Sequence, residues 1–275
     1  METTYLKFCL DANHLDELAH KYHQEYINAK PFPHIVFDNF LPETVLENIL
    51  QEFPDTKAQG WRKFERVTEK KLDSFPELEM GDATRFLLYK LNSSIFISFL
   101  EKLTGIPGII PDPHFQGGGL HQIEREGFLK IHVDFNKHKE MKVDRRLNLL
   151  IYLNKNWKEE YGGHFELWNQ DMTVCEKKIL PIFNRCVVFS TSDFSYHGHP
   201  DPLKCPEEMT RKSLALYYYS NGRPSEEISN NHSTLFKERP GDNLNQKAAS
   251  GKRSSLLHKL LPPIVIDLYR QSFKK

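Results

Sequence analysis

The sequence predicts an α+β chain: a double-stranded β-helix, or jelly roll of two facing sheets, with supporting helices before it and a short extension after it. Three observations carry this reading. Residues 115 to 221 hold short runs of β-branched and aromatic residues, split by turns such as Tyr161-Gly162-Gly163 and Phe183-Asn184-Arg185. Residues 1 to 114 carry apolar stripes at helical spacing and read as mainly helical. Residues 222 to 275 open with many Ser, Asn, Lys and Gly before turning apolar.

Each part has its own signals. Pro42 starts a helix whose Val45, Leu46, Ile49, Leu50 and Phe53 form one apolar stripe. A second helix follows Ser93-Ser94, carries Ile95, Phe96, Phe99, Leu100 and Leu103, and ends near Gly105. These stripes are support packed on a sheet. The segment from Pro107 to Pro113, bounded by prolines and glycines, is the junction to the strand-rich part. A jelly roll suits that part because such double sheets hold ligands between their faces. Near the carboxyl end, Pro262-Pro263 interrupts the apolar run from Leu256 to Ile266. That pattern reads as two short helices docking on the core, with a dimer or membrane-surface contact as the alternative.

Composition excludes several classes. The 275 residues carry 37 basic and 37 acidic side chains, so net charge gives no general attraction to nucleic acid or to an anionic membrane. No stretch reaches the ~18 apolar residues that span a bilayer. Met1-Glu2-Thr3-Thr4-Tyr5 lacks the basic and apolar regions of a signal peptide. Cys9, Cys175, Cys186 and Cys205 lie far apart without C-x-x-C spacing. They read as free thiols in a reducing cytosol.

The chemistry is concentrated in one constellation. His132-Val133-Asp134 ends an extended run, and a second histidine follows sixty-five residues later in Ser195-Tyr196-His197-Gly198-His199-Pro200. Then Arg211 and Ser213 open the strand Arg211-Lys212-Ser213-Leu214-Ala215-Leu216-Tyr217-Tyr218-Tyr219. In a strand, residues i and i+2 point to one face, so His132 and Asp134 can chelate one ion, and Arg211 and Ser213 share a face for the same reason. Two imidazoles and one carboxylate leave open positions on a metal, which an oxygen-activating ferrous iron needs. A buried arginine beside it would hold the far carboxylate of a bidentate keto acid, because a guanidinium fork matches a carboxylate. His199 is a rival to His197, since the two share a face if that piece is extended.

From Gly117 to Asn221 the chain resembles the core of the Fe(II)/2-oxoglutarate-dependent dioxygenases, in their prolyl 4-hydroxylase-like branch. Gly127-Phe128-Leu129-Lys130-Ile131-His132-Val133-Asp134 is similar to the iron-binding strand, and Leu149 to Trp157 to the strand and turn that follow it. Gly162-Gly163-His164-Phe165-Glu166-Leu167 resembles the glycine-glycine hairpin strand, and Arg185 to Ser190 the strand before the distal histidine. Outside the core, Pro31 to Leu41 is similar to an opening segment common in these enzymes. The resemblance implies iron ligands His132, Asp134 and His197. It implies Arg211 as partner of the C5 carboxylate of 2-oxoglutarate, with Tyr152 reaching the same carboxylate and Ser213 a hydroxyl partner. The implied cofactors are Fe(II), 2-oxoglutarate as co-substrate and O2, with ascorbate a candidate stimulant. Succinate and CO2 are the implied co-products. By the same resemblance, an aspartate at position 134 argues for hydroxylation, because related halogenases lack this carboxylate.

The expected function is hydroxylation of a C–H bond in a peptidyl residue, amino acid or other small molecule. A carrier-bound intermediate or a sugar also stays open, since one fold serves many substrates. The loop from Phe135 to Arg146 is rich in cations and reads either as a solvated loop or as a lid that steers an acidic partner. Two other classes compete: a different metal-dependent enzyme on the same double sheet, and a non-catalytic binding scaffold. Arg211 and Tyr152 discriminate, because a keto acid needs a carboxylate anchor that a hydrolase does not.

Overall fold

Asp11 caps the first helix, α1 (Ala12–Asn28), by accepting the backbone N–H groups of Asn13 and His14 at 3.0 and 3.1 Å. The computed structural model describes residues 10–242 and 244, all within one unit that ends at Leu244. The apolar run from Leu256 to Ile266, Cys9 and the expected carboxyl-terminal helices lie outside the described residues. After α1 come β1 (His34–Phe37), α2 (Glu43–Glu52), β2 (Arg62–Glu65), β3 (Glu69–Asp73), α3 (Asp82–Leu91) and α4 (Ser94–Thr104). Next are β4 (Ile110–Pro111), β5 (Gly119–Ile123), β6 (Phe128–Val133), β7 (Asp144–Tyr152), β8 (Phe165–Trp168) and β9 (Cys175–Ile179). Last are β10 (Cys186–Ser190), β11 (His197–His199), β12 (Arg211–Ser220) and β13 (Leu235–Phe236). No described helix is long and apolar enough to cross a membrane.

The helical stripes do what their spacing predicts, with one exception. Helix α2 follows Pro42 and buries Val45, Leu46 and Ile49. Helix α4 buries Phe96, Phe99, Leu100 and Leu103 and stops at Gly105, whose φ of 73° is the left-handed cap that glycine adopts freely. Ile95, counted in that stripe, points away and is 42 % exposed. Helices α1 and α3 also pack on the core, α1 through Leu15, Ala19 and Tyr26. Hydrogen bonds then tie helices to strands: Tyr26 Oη lies 2.8 Å from Ser190 Oγ, and Tyr218 Oη donates to the carbonyl of Leu91 at 2.9 Å.

The strands form one curled antiparallel sheet in the order β1-β10-β7-β12-β5-β3-β6-β11-β8-β9, with β2, β4 and β13 beside β3, β12 and β6. The two faces of the jelly roll are β1-β10-β7-β12-β5 and β6-β11-β8-β9, joined through β3. The region read as mainly helical therefore donates three long-range strands, including this connecting one. Strand β3, Glu69-Lys70-Lys71-Leu72-Asp73, is too charged to show an apolar alternation.

Period two explains where the chemistry lies. On β7, Leu147, Leu149 and Ile151 enter the core under the helices, so Asn148, Leu150 and Tyr152 face the other side. On β12, Leu214, Leu216 and Tyr218 enter that core, which leaves Arg211, Ser213 and Tyr217 on the inner side of the curl. Leu149 is fully buried in this core. We expect Leu149→Ala to cost about 2–5 kcal/mol, from lost transfer energy and the cavity left behind. Urea unfolding of the two proteins measures it.

Candidate metal centre and cavity

The curl encloses a cavity of about 760 Å³. Antiparallel pairing sets His132 of β6 directly opposite His197 of β11, with ring centroids 4.5 Å apart. Asp134 follows β6 by one residue and points to the same side as His132. Its Oδ2 is 3.3 Å from His197 Nε2, and its Oδ1 is 3.7 Å from His132 Nε2. One ligand atom from each residue lies within 4.8 Å of the others, a spacing that can hold a metal ion.

The surroundings orient these groups. His132 Nδ1 donates to the carbonyl of Lys130 at 2.9 Å, and His197 Nδ1 donates to that of Ser195 at 2.7 Å. These bonds turn each Nε2 toward Asp134, the usual way a protein aims a ligating histidine. Burial first, with His197 beside it, pushes the His132 imidazole down to about 3, so the ring is neutral. Burial would raise the Asp134 carboxyl, but Arg145 and His197 outweigh it and hold the group well below the usual carboxylate range. These residues suit a divalent ion with N/O ligands.

A glycine makes the approach of β11 to β6 possible. A Cβ on Gly198 would sit 2.8 Å from the Leu129 carbonyl oxygen and 2.9 Å from that of Lys130. The pairing of the two strands also slips between His197 and His199, so His199 falls opposite Leu129. His199 therefore lines the cavity without joining Asp134. Burial holds its imidazole well below the usual value, and neither ring nitrogen has a hydrogen-bond partner among the described residues.

Arg211, 5 % exposed, lines the same cavity. Its Nε donates to the Gly163 carbonyl at 2.9 Å and its Nη2 to Tyr152 Oη at 3.3 Å, while Nη1 has no acceptor among the described residues. Gly163 takes a φ of +71°, and a Cβ there would meet Leu203 at 2.5 Å and Arg211 Cδ at 3.1 Å. Burial draws the guanidinium down from its ordinary value, partly offset by Tyr152, and no acid among the described residues is paired with it. Burial likewise raises the Tyr152 phenol, against the opposing pull of Arg211, so its proton is retained. Ser213 lines the cavity and is the cross-strand neighbour of Tyr152.

Two further residues were not singled out from the sequence. Asn148 Nδ2 donates to Asp134 Oδ2 at 2.7 Å, and Arg145 Nε donates to Asn148 Oδ1 at 2.9 Å. Arg145 Nη2 also lies 3.2 Å from Asp134 Oδ2. The guanidinium is held over the rings of Tyr217 and Phe135, at 3.4 and 4.4 Å from their centroids. The signal for Asn148 was present: it is the polar residue inside the apolar run Leu147-Asn148-Leu149-Leu150.

Residues 118–219 match the 2OG-Fe(II) oxygenase superfamily. No curated protein matches the chain. A prolyl hydroxylase from Trichoplax adhaerens, solved with a hypoxia inducible factor oxygen degradation domain peptide fragment, aligns with a TM-score of 0.56 at 18 % identity. That alignment covers 80 % of this chain and 94 % of the other. A Pseudomonas putida prolyl-4-hydroxylase aligns with a TM-score of 0.52 at 15 % identity, over 77 % of this chain and 99 % of its own. For a prolyl 4-hydroxylase of Phytophthora capsici the values are 0.51 and 19 %, over 78 % and 67 %. At these identities the likeness is one of fold.

Proposed function

We propose, from the premise that residues 118–219 belong to the 2OG-Fe(II) oxygenase superfamily, that this chain is an Fe(II)- and 2-oxoglutarate-dependent hydroxylase with His132, Asp134 and His197 as its iron ligands. The observation that carries the assignment is the convergence of two Nε2 atoms on one carboxylate, inside a cavity that also holds the acid-free Arg211. When bound, iron and 2-oxoglutarate turn O2 into an oxidant for a C–H bond, with succinate and CO2 released.

The chain's own residues supply the rest. The Lys130 and Ser195 carbonyls fix the aim of the His132 and His197 rings, and burial keeps His132 neutral. Asp134 stays ionised and is held by Asn148 and Arg145. Arg211 pairs with the C5 carboxylate of the keto acid. Tyr152, which accepts from Arg211, keeps its own proton to donate to that carboxylate, and Ser213 adds a hydroxyl. The enclosing sheet keeps bulk water from the reacting groups. A metal-dependent hydrolase on the same scaffold has no use for a buried arginine without an acid, which favours the keto-acid enzyme.

In this reading, residues 115–221 are the dioxygenase core, 1–114 its support and 222–275 an extension that reaches the cavity through residues 231–234 and Phe236. The target is a C–H bond in a peptidyl residue, amino acid or other small molecule. We place the enzyme in the reducing cytosol, with the free thiols of Cys175, Cys186 and Cys205 as support. Purified protein given ferrous iron and oxygen is expected to convert 2-oxoglutarate to succinate slowly even without its prime substrate. If no keto acid is consumed, and calorimetry finds no 2-oxoglutarate binding to the metal-loaded protein, the assignment fails.

A further inference from the structure

We infer that the prime substrate presents an oxyanion, a phosphate or a carboxylate, to the cavity rim, where Lys139 and Lys142 receive it. This rests on the hydroxylase reading above and adds the substrate's chemical class. The chain as a whole is neutral, with 37 basic and 37 acidic residues. The cavity is not: eight of its lining residues are arginine or lysine and three are acidic. Ferrous iron and the doubly charged keto acid cancel one another, so the positive surplus remains when both are bound. It is therefore available to a third participant.

Pairing identifies where the surplus is free. On the β2–β3 hairpin, Arg62 lies 2.9 Å from Asp73, and Lys71 lies 3.1 Å from Asp73 and 3.5 Å from Glu69. Inside, Arg145 pairs with Asp134. Lys137, on the turn between β6 and β7, lies 3.4 Å from Asp144. Lys139 and Lys142 on the same turn line the cavity, are exposed, and have no carboxylate within ion-pair distance among the described residues.

The turn is built, not loose. His138 is 1 % exposed and forms its hub. Its Nε2 donates to Asp112 Oδ1 at 3.3 Å, while Nδ1 accepts the N–H groups of Glu140 and Met141 at 3.2 and 3.1 Å. Lys142 N–H donates to the His138 carbonyl at 3.1 Å, and Lys139 N–H to Gln116 Oε1 at 3.1 Å. Lys142 is held at a φ of +60°, a conformation a lysine rarely takes. A solvated loop needs no buried histidine hub. The hub fixes the backbone from which Lys139 and Lys142 extend at the mouth of the cavity, so less of the turn has to be ordered when an anion binds there.

The test uses the manganese- and 2-oxoglutarate-loaded protein. Adenosine monophosphate and a capped tetra-aspartate peptide are titrated by calorimetry, with adenosine and tetra-asparagine as neutral counterparts. The double variant Lys139→Gln/Lys142→Asn removes both charges, and asparagine tolerates the positive φ at position 142. A second double variant, Lys21→Gln/Lys57→Gln, removes equal charge from exposed sites off the cavity. We expect at least one anionic probe to bind more tightly than its neutral counterpart, and about fivefold more weakly to the rim double variant only. Binding should also weaken as salt rises. Preference for the nucleotide marks a phosphate, and preference for the peptide marks a carboxylate. The inference is overturned if charged and neutral probes bind alike, if neither anion binds, or if the Lys21/Lys57 variant loses as much. It is also overturned if the rim variant loses 2-oxoglutarate affinity equally, since its charges would then serve the co-substrate. Failure of wild type to bind 2-oxoglutarate at all would instead remove the hydroxylase assignment.

Discussion

Replacing His132, Asp134 or His197 with alanine is expected to abolish turnover and weaken iron binding, while His199→Ala retains substantial activity. Partners standing behind a metal ligand are typically worth 10- to 100-fold in affinity or activity, so loss of a ligand itself should exceed about a hundredfold. The geometry separates the two histidines of β11. His197 sits opposite His132 and 3.3 Å from Asp134, with its Nδ1 proton fixed by the Ser195 carbonyl. His199 falls opposite Leu129, away from Asp134, and among the described residues has neither a carboxylate partner nor a carbonyl to set its tautomer. Succinate formation under saturating iron, with manganese binding by calorimetry, measures both effects. An essential His199 with a dispensable His197 would reverse the assignment of the distal ligand.

How much of this was legible in the sequence depends on the kind of signal. The strands of the core announce themselves by composition, and H-x-D with a later histidine and R-x-S falls in an order that chance seldom gives. Alternation along the β12 sequence by itself fixes that Arg211 and Ser213 share a face. Register is different. Whether His197 or His199 meets Asp134 depends on the register of β11 against β6, which sets His197 opposite His132 and which no local pattern encodes. Strand β3 is hidden because its neighbours β5 and β6 are far in sequence and its residues charged: Leu72 pairs Gln122, and Glu69 pairs Leu129. Arg145 looked like one more cation in a basic loop. Only the fold brings Tyr217 and Phe135 around it and turns it onto Asp134.

Arg211→Ala is expected to raise the Michaelis constant for 2-oxoglutarate and leave iron affinity nearly unchanged. Truncating one partner of a buried charge pair costs about 2–5 kcal/mol, roughly thirtyfold to several thousandfold in affinity at 1.4 kcal/mol per tenfold. The upper part of that range applies where water is excluded, and Arg211 is 5 % exposed. Arg211→Lys should recover only part of the loss. An ammonium carries the charge but not the fork that reaches the Gly163 carbonyl and Tyr152 while leaving Nη1 for the ligand. Titrating 2-oxoglutarate into the manganese forms of wild type and both variants separates anchor from strand opener. Equal affinity across all three would place the carboxylate elsewhere. Of the other cations, Lys212 does not line the cavity, and Arg185 is forked onto Asp38 at 2.6 and 2.8 Å. Lys71 does line it, yet Asp73 and Glu69 already hold its charge. Among the described residues, Arg211 is thus the deep cation with neither an acid partner nor a competing structural duty for its free nitrogen, which is why its removal should be felt in 2-oxoglutarate binding before anything else.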